Sequence, residues 1–264
     1  MEQARCTEDG AVYNAFNFAQ QLPDNFDRKR RLLQCPECGG PAFFRNVSFN
    51  GLRAACFGAR PHADGCSMTA YDRTRLTYDA IDDHDIFGRN IIVDFGYGSP
   101  QPIDTGWRVS TENGINNFGV PSPSTSTHRR LSSLLRLLIE SSTLQNSDQL
   151  VEAHGERGIP ARDFFVPLLA VTTQHAGQLR GYWGMISDAT LVGNTLWLNS
   201  GKRDTISFGL DIKFVDHFVQ RFYLNELEDL AGVMILVIGT PSIAKNGKLH
   251  CMIEDIEFMT LKPT

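Results

Sequence analysis

Short apolar runs separated by polar turns dominate the last third of the chain. Residues 224–232 have instead the spacing of a short helix that ends at a glycine. Apolar runs of this length that are bounded by turn residues are typical of β-strands. The pattern therefore predicts five strands with a short helix before the fourth, and the strands cover residues 180–186, 195–199, 206–214, 233–239 and 249–261.

The middle of the chain changes from a polar stretch to helical spacing. Residues 98–127 are rich in Gly, Pro, Ser, Thr and Asn and are predicted to form a loop or linker. Leucines then recur at three- and four-residue spacing over 131–138, which predicts a helix capped by Ser126 or Thr127. A second helix is expected over residues 147–154.

The N-terminal third predicts a β-hairpin. Residues 41–45 and 52–57 would form its strands, and Asn50 with Gly51 would form its turn. Residues 91–95 predict a further strand that completes this first module.

Metal-ligand residues flank the predicted hairpin, and they are Cys35, Cys38, Cys56, His62 and Cys66. Two cysteines separated by two residues can hold Zn²⁺ from a tight turn, and a second pair downstream completes the tetrahedron. We expect the ligands to be Cys35, Cys38, His62 and Cys66. Cys56 is the alternative to His62, although a thiol within a predicted strand is often apolar filler. Four protein ligands leave no open coordination position, so the Zn²⁺ is expected to be structural.

The composition is that of an ordinary soluble globular protein. The 264 residues are 42% hydrophobic and 21% charged, with a formal net charge of -5. No apolar stretch approaches the length of a membrane span, and the N-terminus lacks the apolar core of a secretory signal. A cytoplasmic protein is therefore expected, in which paired cysteines hold metal more often than they form disulfides.

These elements predict an α+β fold that is mainly β. A zinc ribbon-like, zinc-binding module is expected at residues 1–97, followed by the loop or linker at 98–127. A helical segment and a five-stranded barrel with accessory helices are expected over residues 128–264, with the barrel at about 178–262.

The C-terminal region resembles the OB-fold family. Residues 184–186 look like its glycine-containing first strand, and residues 227–237 look like its passage from helix to fourth strand. Residues 254–261 resemble its final strand. The resemblance implies a five-stranded barrel of the kind that binds oligonucleotides.

The N-terminal region resembles the zinc-binding module of competence CoiA-like proteins. There a Cys-x2-Cys pair leads through a hairpin to an aromatic-containing segment with a His and a Cys, as residues 57–66 do here. It is also similar to the zinc ribbons of bacterial type I topoisomerases, whose usual four cysteines would favour Cys56 over His62. Both resemblances imply a role in DNA transactions. CoiA-like proteins carry a nuclease-type domain after this module, and its acidic-and-lysine signature is not found here.

An OB barrel binds single strands by stacking bases on exposed aromatic side chains beside a basic track. The candidate stacking residues lie in the first two predicted strands, and the candidate phosphate contacts lie before the zinc module and in two barrel loops. The aromatic residues could equally be barrel core. The candidates are Tyr182, Trp183, Trp197, Arg28, Lys29, Arg30, Arg31, Lys202, Arg203, Lys245 and Lys248.

No residue pattern requires catalysis. The acidic run 82–85 is interpreted as a polar turn, because consecutive residues rarely converge on one metal. Asp94, alone in an apolar strand, would be the first candidate of a diverged nuclease.

The leading hypothesis is a zinc-stabilised, non-enzymatic protein that holds single-stranded DNA non-specifically in DNA processing, repair or defence. The alternative is an adaptor that binds protein partners in a DNA-processing or anti-phage complex without nucleic-acid contact.

Overall fold

The computed structural model describes residues 1–51, 53–68, 90–95, 126–201 and 205–262. Within these ranges the fold is mixed and consists mainly of strands in several sheets. No helix of the described residues is long and apolar enough to cross a membrane. The helices are α1 (Ala15–Ala19), α2 (Pro23–Lys29), α3 (Leu131–Glu140), α4 (Ser142–Gln145), α5 (Ala161–Phe164) and α6 (Ile212–Arg221).

The N-terminal module, residues 1–68, contains two small sheets. The first has the order β2-β1-β3 and the second is an antiparallel hairpin of β4 and β5. The strands are β1 (Gln3–Cys6), β2 (Val12–Asn14), β3 (Leu33–Gln34), β4 (Ala42–Arg45) and β5 (Cys56–Ala59). The predicted hairpin is present, with Arg45 opposite Cys56 and a turn in which the Gly51 amide donates to the Ser48 carbonyl oxygen at 2.8 Å. Its second strand lies later than the predicted 52–57, because pairing with β4 begins at Cys56.

An aromatic cluster forms the core of this module. Phe18 is fully buried, and its ring centroid lies 5.0 Å from that of Phe44 and 5.4 Å from that of Phe57. The ring of Phe26 closes the cluster from α2, 5.5 Å from both Phe18 and Phe44. Tilted and edge-on contacts of this kind add to the stabilisation from burial.

The middle sheet has the order β7-β6-β8-β9, in which β6 is parallel to both β7 and β8. Its strands are β6 (Asn90–Asp94), β7 (Ser126–Arg130), β8 (Leu150–Ala153) and β9 (Glu156–Pro160). The strand predicted at 91–95 is confirmed, but it pairs with β7 and β8 and does not complete the N-terminal module. The helix predicted at 147–154 is wrong, because Leu150–Ala153 pairs with strands on both sides and buries alternate residues, a period of two.

The helix predicted after residue 130 is confirmed as α3, whose leucines are buried. Its N-cap is Arg130 and not Ser126 or Thr127, because those two residues belong to β7. Lys262 donates to Glu140 at 2.6 Å and joins the end of α3 to the last strand. Burial opposes ionisation of Glu140, but the hydrogen bonds from Lys262 and Arg136 hold its pKa below the usual value.

The C-terminal region, residues 165–262, contains two further sheets. One has the order β10-β11-β15-β18 and the other has the order β12-β13-β14-β17-β16. The strands are β10 (Phe165–Pro167), β11 (Arg180–Met185), β12 (Asp188–Val192), β13 (Thr195–Asn199), β14 (Ser207–Asp211), β15 (Met234–Gly239), β16 (Ser242–Ile243), β17 (Leu249–Ile253) and β18 (Met259–Lys262).

Two of the predicted strands are shorter than expected. The run 206–214 leaves the sheet at Asp211, whose side chain accepts from the Lys213 amide and caps α6. The run 249–261 divides into β17 and β18, because a 3₁₀ turn at Ile256–Phe258 separates them. The helical spacing at 224–232 corresponds to a 3₁₀ turn at Leu227–Leu230.

Strand β15 separates two hydrophobic cores. Ile235 and Val237 face the core enclosed by β11–β14 and β17, whereas Met234, Leu236 and Ile238 face α3 and the middle sheet. Because successive side chains of a strand point to opposite faces, an uninterrupted apolar run suits a strand that is buried on both sides.

Candidate metal centre and groove

Three cysteines and one histidine converge at the edge of the N-terminal module. Their ligand atoms all lie within 4.8 Å of one another, and the four residues are Cys35, Cys38, His62 and Cys66. The sulfurs of Cys35 and Cys66 are 3.8 Å apart, and Nδ1 of His62 lies 3.5 Å from the Cys38 sulfur and 3.2 Å from the Cys66 sulfur. A tetrahedral Zn²⁺ with bonds of about 2.0 Å to nitrogen and 2.3 Å to sulfur would separate its ligands by about 3.5–3.8 Å. Three thiols and one imidazole at this spacing could therefore hold a metal ion, and the donor set is of the type that Zn²⁺ prefers.

The first cysteine pair is held by a tight turn. The Cys35 amide donates to the Gly40 carbonyl oxygen at 2.8 Å, and the Gly39 amide donates back to the Cys35 carbonyl oxygen at 3.0 Å. Gly39 has φ +69°, and a Cβ on Gly40 would lie 2.4 Å from the carbonyl oxygen of Pro61. Both positions therefore require glycine, the first for its conformation and the second for the close approach of the two halves of the cluster.

The backbone also favours the thiolate at the second cysteine. Amide hydrogen bonds from Ala63 and Gly40 lower the pKa of Cys38 to about 6. Thiolate is the form that coordinates metal. The carboxylate of Glu37, between the two cysteines, accepts from the Ser67 amide at 2.9 Å and links the first pair to the segment after Cys66.

Cys56 lies outside this cluster. It begins β5, opposite Arg45, and its side chain is half-buried. Of the two ligand sets left open by the spacing, the fold thus assembles the one that contains His62.

The basic residues before the metal cluster all have acidic partners. Arg28 pairs with Glu8 at 2.9 Å, and Lys29 pairs with Asp9 at 2.8 Å, so both stabilise the N-terminal module itself. The Arg28 side chain is more than half exposed. Arg28 therefore remains accessible to a phosphate, whereas the Lys29 side chain is mostly buried.

The next two arginines reach the C-terminal region. Arg30 is buried and pairs with Glu228 at 2.8 Å, and it also donates to the Phe44 carbonyl oxygen at 3.2 Å. The prediction that Arg30 contacts a phosphate is therefore wrong, because a side chain enclosed at this interface cannot reach one. Arg31 pairs with Asp188, whose carboxylate is fully buried.

The hairpin of the N-terminal module contacts the same region. Arg53 pairs with Glu226 at 2.7 Å and with Asp229 at 2.9 Å. The ring of Phe43 lies against Gly232, where an added Cβ would come within 2.2 Å of the ring. The two regions are therefore joined by both ion pairs and close packing.

A groove of about 430 Å³ lies over β12, β13, β14 and β17, next to this junction. Trp197 of β13 is half-buried there, and its ring stands edge-on to that of His250 with centroids 6.0 Å apart. The loop before β17 contributes a basic rim. The polar and aromatic lining residues are Arg31, Thr190, Trp197, Asn199, Ser207, Asn246, Lys248 and His250.

A buried polar network lies beneath the groove. The Asp188 carboxylate accepts from Nε of Arg31 at 2.7 Å, from Nη2 of Arg31 at 3.0 Å and from Nδ2 of Asn199 at 2.8 Å. Thr190 donates to the same carboxylate at 3.2 Å, and Ser207 donates to Oδ1 of Asn199 at 2.8 Å. Connected donors and acceptors of this kind hold their side chains in one geometry.

The predicted stacking residues lie in three different environments. Tyr182 is fully buried in the C-terminal core, and its hydroxyl donates to the Gln178 carbonyl oxygen at 3.0 Å. The prediction that Tyr182 stacks on a base is therefore wrong, because a ring inside the core cannot reach one. Trp183 points to the opposite face of β11 and packs on the second core, so it faces α3 and not the groove. Trp197 lines the groove.

Two of the four predicted loop cations lie in the described part of the chain. Lys248 lines the groove and Lys245 is exposed in the same loop, whereas Lys202 and Arg203 lie outside the described residues.

Asp94 ends β6 and is half-buried. Its carboxylate lies 2.9 Å from Nδ1 of His128 on the neighbouring strand. In the described ranges, the cysteine and histidine cluster is the one group of three or more potential metal ligands. The acidic run 82–85 lies outside those ranges.

Sequence reasoning missed the polar side of the groove. Asp188, Asn199, Ser207 and His250 were not selected, because single polar residues in strands usually face solvent. A local signal was present in the alternation of Trp197 and Asn199 along β13, which places both on one side of the strand.

No family model and no curated protein matches the chain. Two solved structures that resemble part of it are an OBody, AM3L09, bound to hen egg-white lysozyme, and Pot1pC of Schizosaccharomyces pombe bound to ssDNA. The OBody is 11% identical to this chain with a TM-score of 0.28, and the match covers 38% of this chain and 94% of the OBody chain. Pot1pC is 14% identical to this chain with a TM-score of 0.27, and the match covers 38% of this chain and 86% of the Pot1pC chain.

Proposed function

We propose that this chain is a zinc-stabilised protein that binds single-stranded nucleic acid non-specifically in the groove of a five-stranded OB-like barrel. The half-buried Trp197, which lies in a groove with a basic rim, is the observation that supports this function most directly. Aromatic stacking beside cations is how proteins hold single strands without reading each base.

The strand pairing supports the barrel. Strand β11 continues into β12 through Ile186 and Ser187. The Ile186 amide donates to the carbonyl oxygen of Val233, just before β15, and the Ser187 amide donates to that of Asn199 in β13. Strand one would thus be β11 with β12, strands two and three would be β13 and β14, strand four would be β15 with β16, and strand five would be β17. Strand one then pairs antiparallel with strands two and four, strand two pairs antiparallel with strand three, and strand four pairs antiparallel with strand five. Strands three and five are parallel. Helix α6 lies between strands three and four, as in the OB element order.

The metal in this proposal is structural Zn²⁺. The four ligands would fill its coordination sphere, so the ion would stabilise the N-terminal module and leave no site for substrate. Because the ligands come from two separate segments of a small module, metal binding and folding of residues 1–68 are expected to be coupled.

Fluorescence anisotropy with labelled single-stranded DNA, duplex DNA and RNA across a salt series tests the function. We expect tighter binding to single strands, with an affinity that falls as salt rises because counterions are released from the contacted phosphates. Trp197→Ala should weaken binding about tenfold, since stacking on one base contributes about 1–3 kcal/mol.

Tyr223→Ala is the matched control, because Tyr223 is an exposed aromatic residue that does not line the groove. It should bind like the wild type. Absence of single-strand binding at low salt, or equal effects of the two substitutions, would contradict the proposal and favour a protein ligand for the groove.

A further inference from the structure

Arg31 projects from the N-terminal module into the wall of the groove, and its guanidinium group is fixed in orientation. It uses Nε and Nη2 on one side of the fork for the two oxygens of Asp188, at 2.7 and 3.0 Å. Bidentate pairs of this type define the plane of the guanidinium group. Within the described part of the chain, Nη1 has no hydrogen-bond partner, so a second pair of parallel N–H groups, on Nη1 and Nη2, remains for a ligand.

The partner of Arg31 determines what ligand suits these N–H groups. Asp188 is fully buried and is held by Asn199 and Thr190, so the carboxylate stays beside the arginine. Its negative charge offsets the positive charge of Arg31 and opposes the approach of a second anion. A neutral group with two adjacent acceptors therefore fits this position better than a phosphate does.

We infer that Arg31 is a base-recognising residue, which donates to a nucleobase edge with two adjacent acceptors while Trp197 stacks on a base in the same groove. Guanine offers such an edge at O6 and N7, and cytosine offers one at O2 and N3, whereas adenine places a donor beside N7. The groove volume of about 430 Å³ lies within the usual range for ligand sites. This inference rests on the proposed single-strand binding and modifies it in one respect, because binding would be non-specific except at the one base that Arg31 contacts.

The site is composite. Arg31 belongs to the segment that leads into Cys35, whereas Asp188 and Trp197 belong to the C-terminal region. The N-terminal module would thus supply the recognising residue and the C-terminal region the stacking surface.

Competition binding with single-site oligonucleotides tests the inference. The probes are thymidine 11-mers whose central residue is dT, dA, dG or dC, measured with the full-length, zinc-loaded protein. We expect dG or dC to bind about tenfold more tightly than dA and dT, the discrimination typical of one bidentate contact. The advantage should disappear with 7-deazaguanine or 3-deazacytosine, because each analogue lacks one of the two acceptors.

The variant arm compares Arg31→Lys with Arg28→Lys. Lysine keeps the positive charge but has no parallel pair of donors, so Arg31→Lys should reduce the ratio of dissociation constants between preferred and other bases to about one. Arg28→Lys, on the surface of the same module, should keep the wild-type ratio. The ratio, and not the absolute affinity, is the readout, so a general loss of affinity cannot imitate the result.

The outcomes separate the two proposals. Equal binding of all four oligonucleotides, an undiminished preference with the deaza analogue, or an unchanged ratio in Arg31→Lys would overturn the base recognition while leaving the single-strand function intact. No binding of any oligonucleotide would overturn both.

Discussion

Replacing Arg31 with alanine should destabilise the whole protein more than its surface position suggests. The substitution removes two hydrogen bonds, at 2.7 and 3.0 Å, from a carboxylate that has no exposure to solvent. Removing one partner of a buried ion pair typically costs about 3–5 kcal/mol, because the other charge is left uncompensated.

Two features of the structure reduce this value. The Arg31 side chain is 27% exposed, so water can enter the vacated space, and Asp188 keeps the donors of Asn199 and Thr190. We therefore expect a loss of about 2–3 kcal/mol in the free energy of unfolding. Arg28→Ala, which breaks the exposed pair with Glu8, should cost less than about 1 kcal/mol.

Urea unfolding at pH 7, followed by tryptophan fluorescence, measures both variants. The double variant Arg31→Ala/Asp188→Asn should recover part of the loss, because the amide keeps an acceptor for Asn199 and removes the buried charge. If Arg31→Ala and Arg28→Ala unfolded at the same urea concentration, or if the double variant were less stable than Arg31→Ala, the reasoning from a buried charge would be refuted.

Further predictions concern the metal, the packing of the two regions and pH. Elemental analysis should find one zinc per chain in the wild type and in Cys56→Ser but none in Cys38→Ser, and the opposite pattern would contradict the ligand set. Gly232→Ala should cost about 3 kcal/mol in urea unfolding, because its Cβ would overlap the Phe43 ring and its φ is +84°; a cost below about 1 kcal/mol would contradict this packing. Glu140, with its lowered pKa, contributes stability above its unfolded pKa of about 4.3, and this contribution is lost as pH falls through the folded value. Glu140→Gln should therefore be less stable than the wild type at pH 7 by under about 1 kcal/mol, and the difference should shrink in parallel thermal melts as pH falls below the unfolded pKa and through the folded one.

Several elements of the fold could be predicted from the sequence because their signals are local. The hairpin turn at Asn50 and Gly51 and the leucine spacing over Leu131–Glu140 each depend on neighbouring residues. The same holds for Cys35 and Cys38, which one tight turn brings together.

Other elements were mispredicted because pairing with distant strands overrides local preference. Leu150–Ala153 has a composition compatible with helix, yet it lies between two strands that satisfy its backbone groups. Tyr182 and Trp183 could not be assigned to inside or outside from β11 alone, because both faces of that strand are covered.

The sequence by itself determined the first cysteine pair of the metal cluster, the strand-rich C-terminal region and the helix that follows residue 130, since spacing and periodicity express these directly. The tertiary structure decided that His62 and not Cys56 joins the cluster. Only the tertiary structure decided that Arg31 meets Asp188, 157 residues away, and that the pair lies in a groove with Trp197. The physical reason is that a buried charge is tolerated only beside its partner, and which partner it meets depends on how the two regions pack.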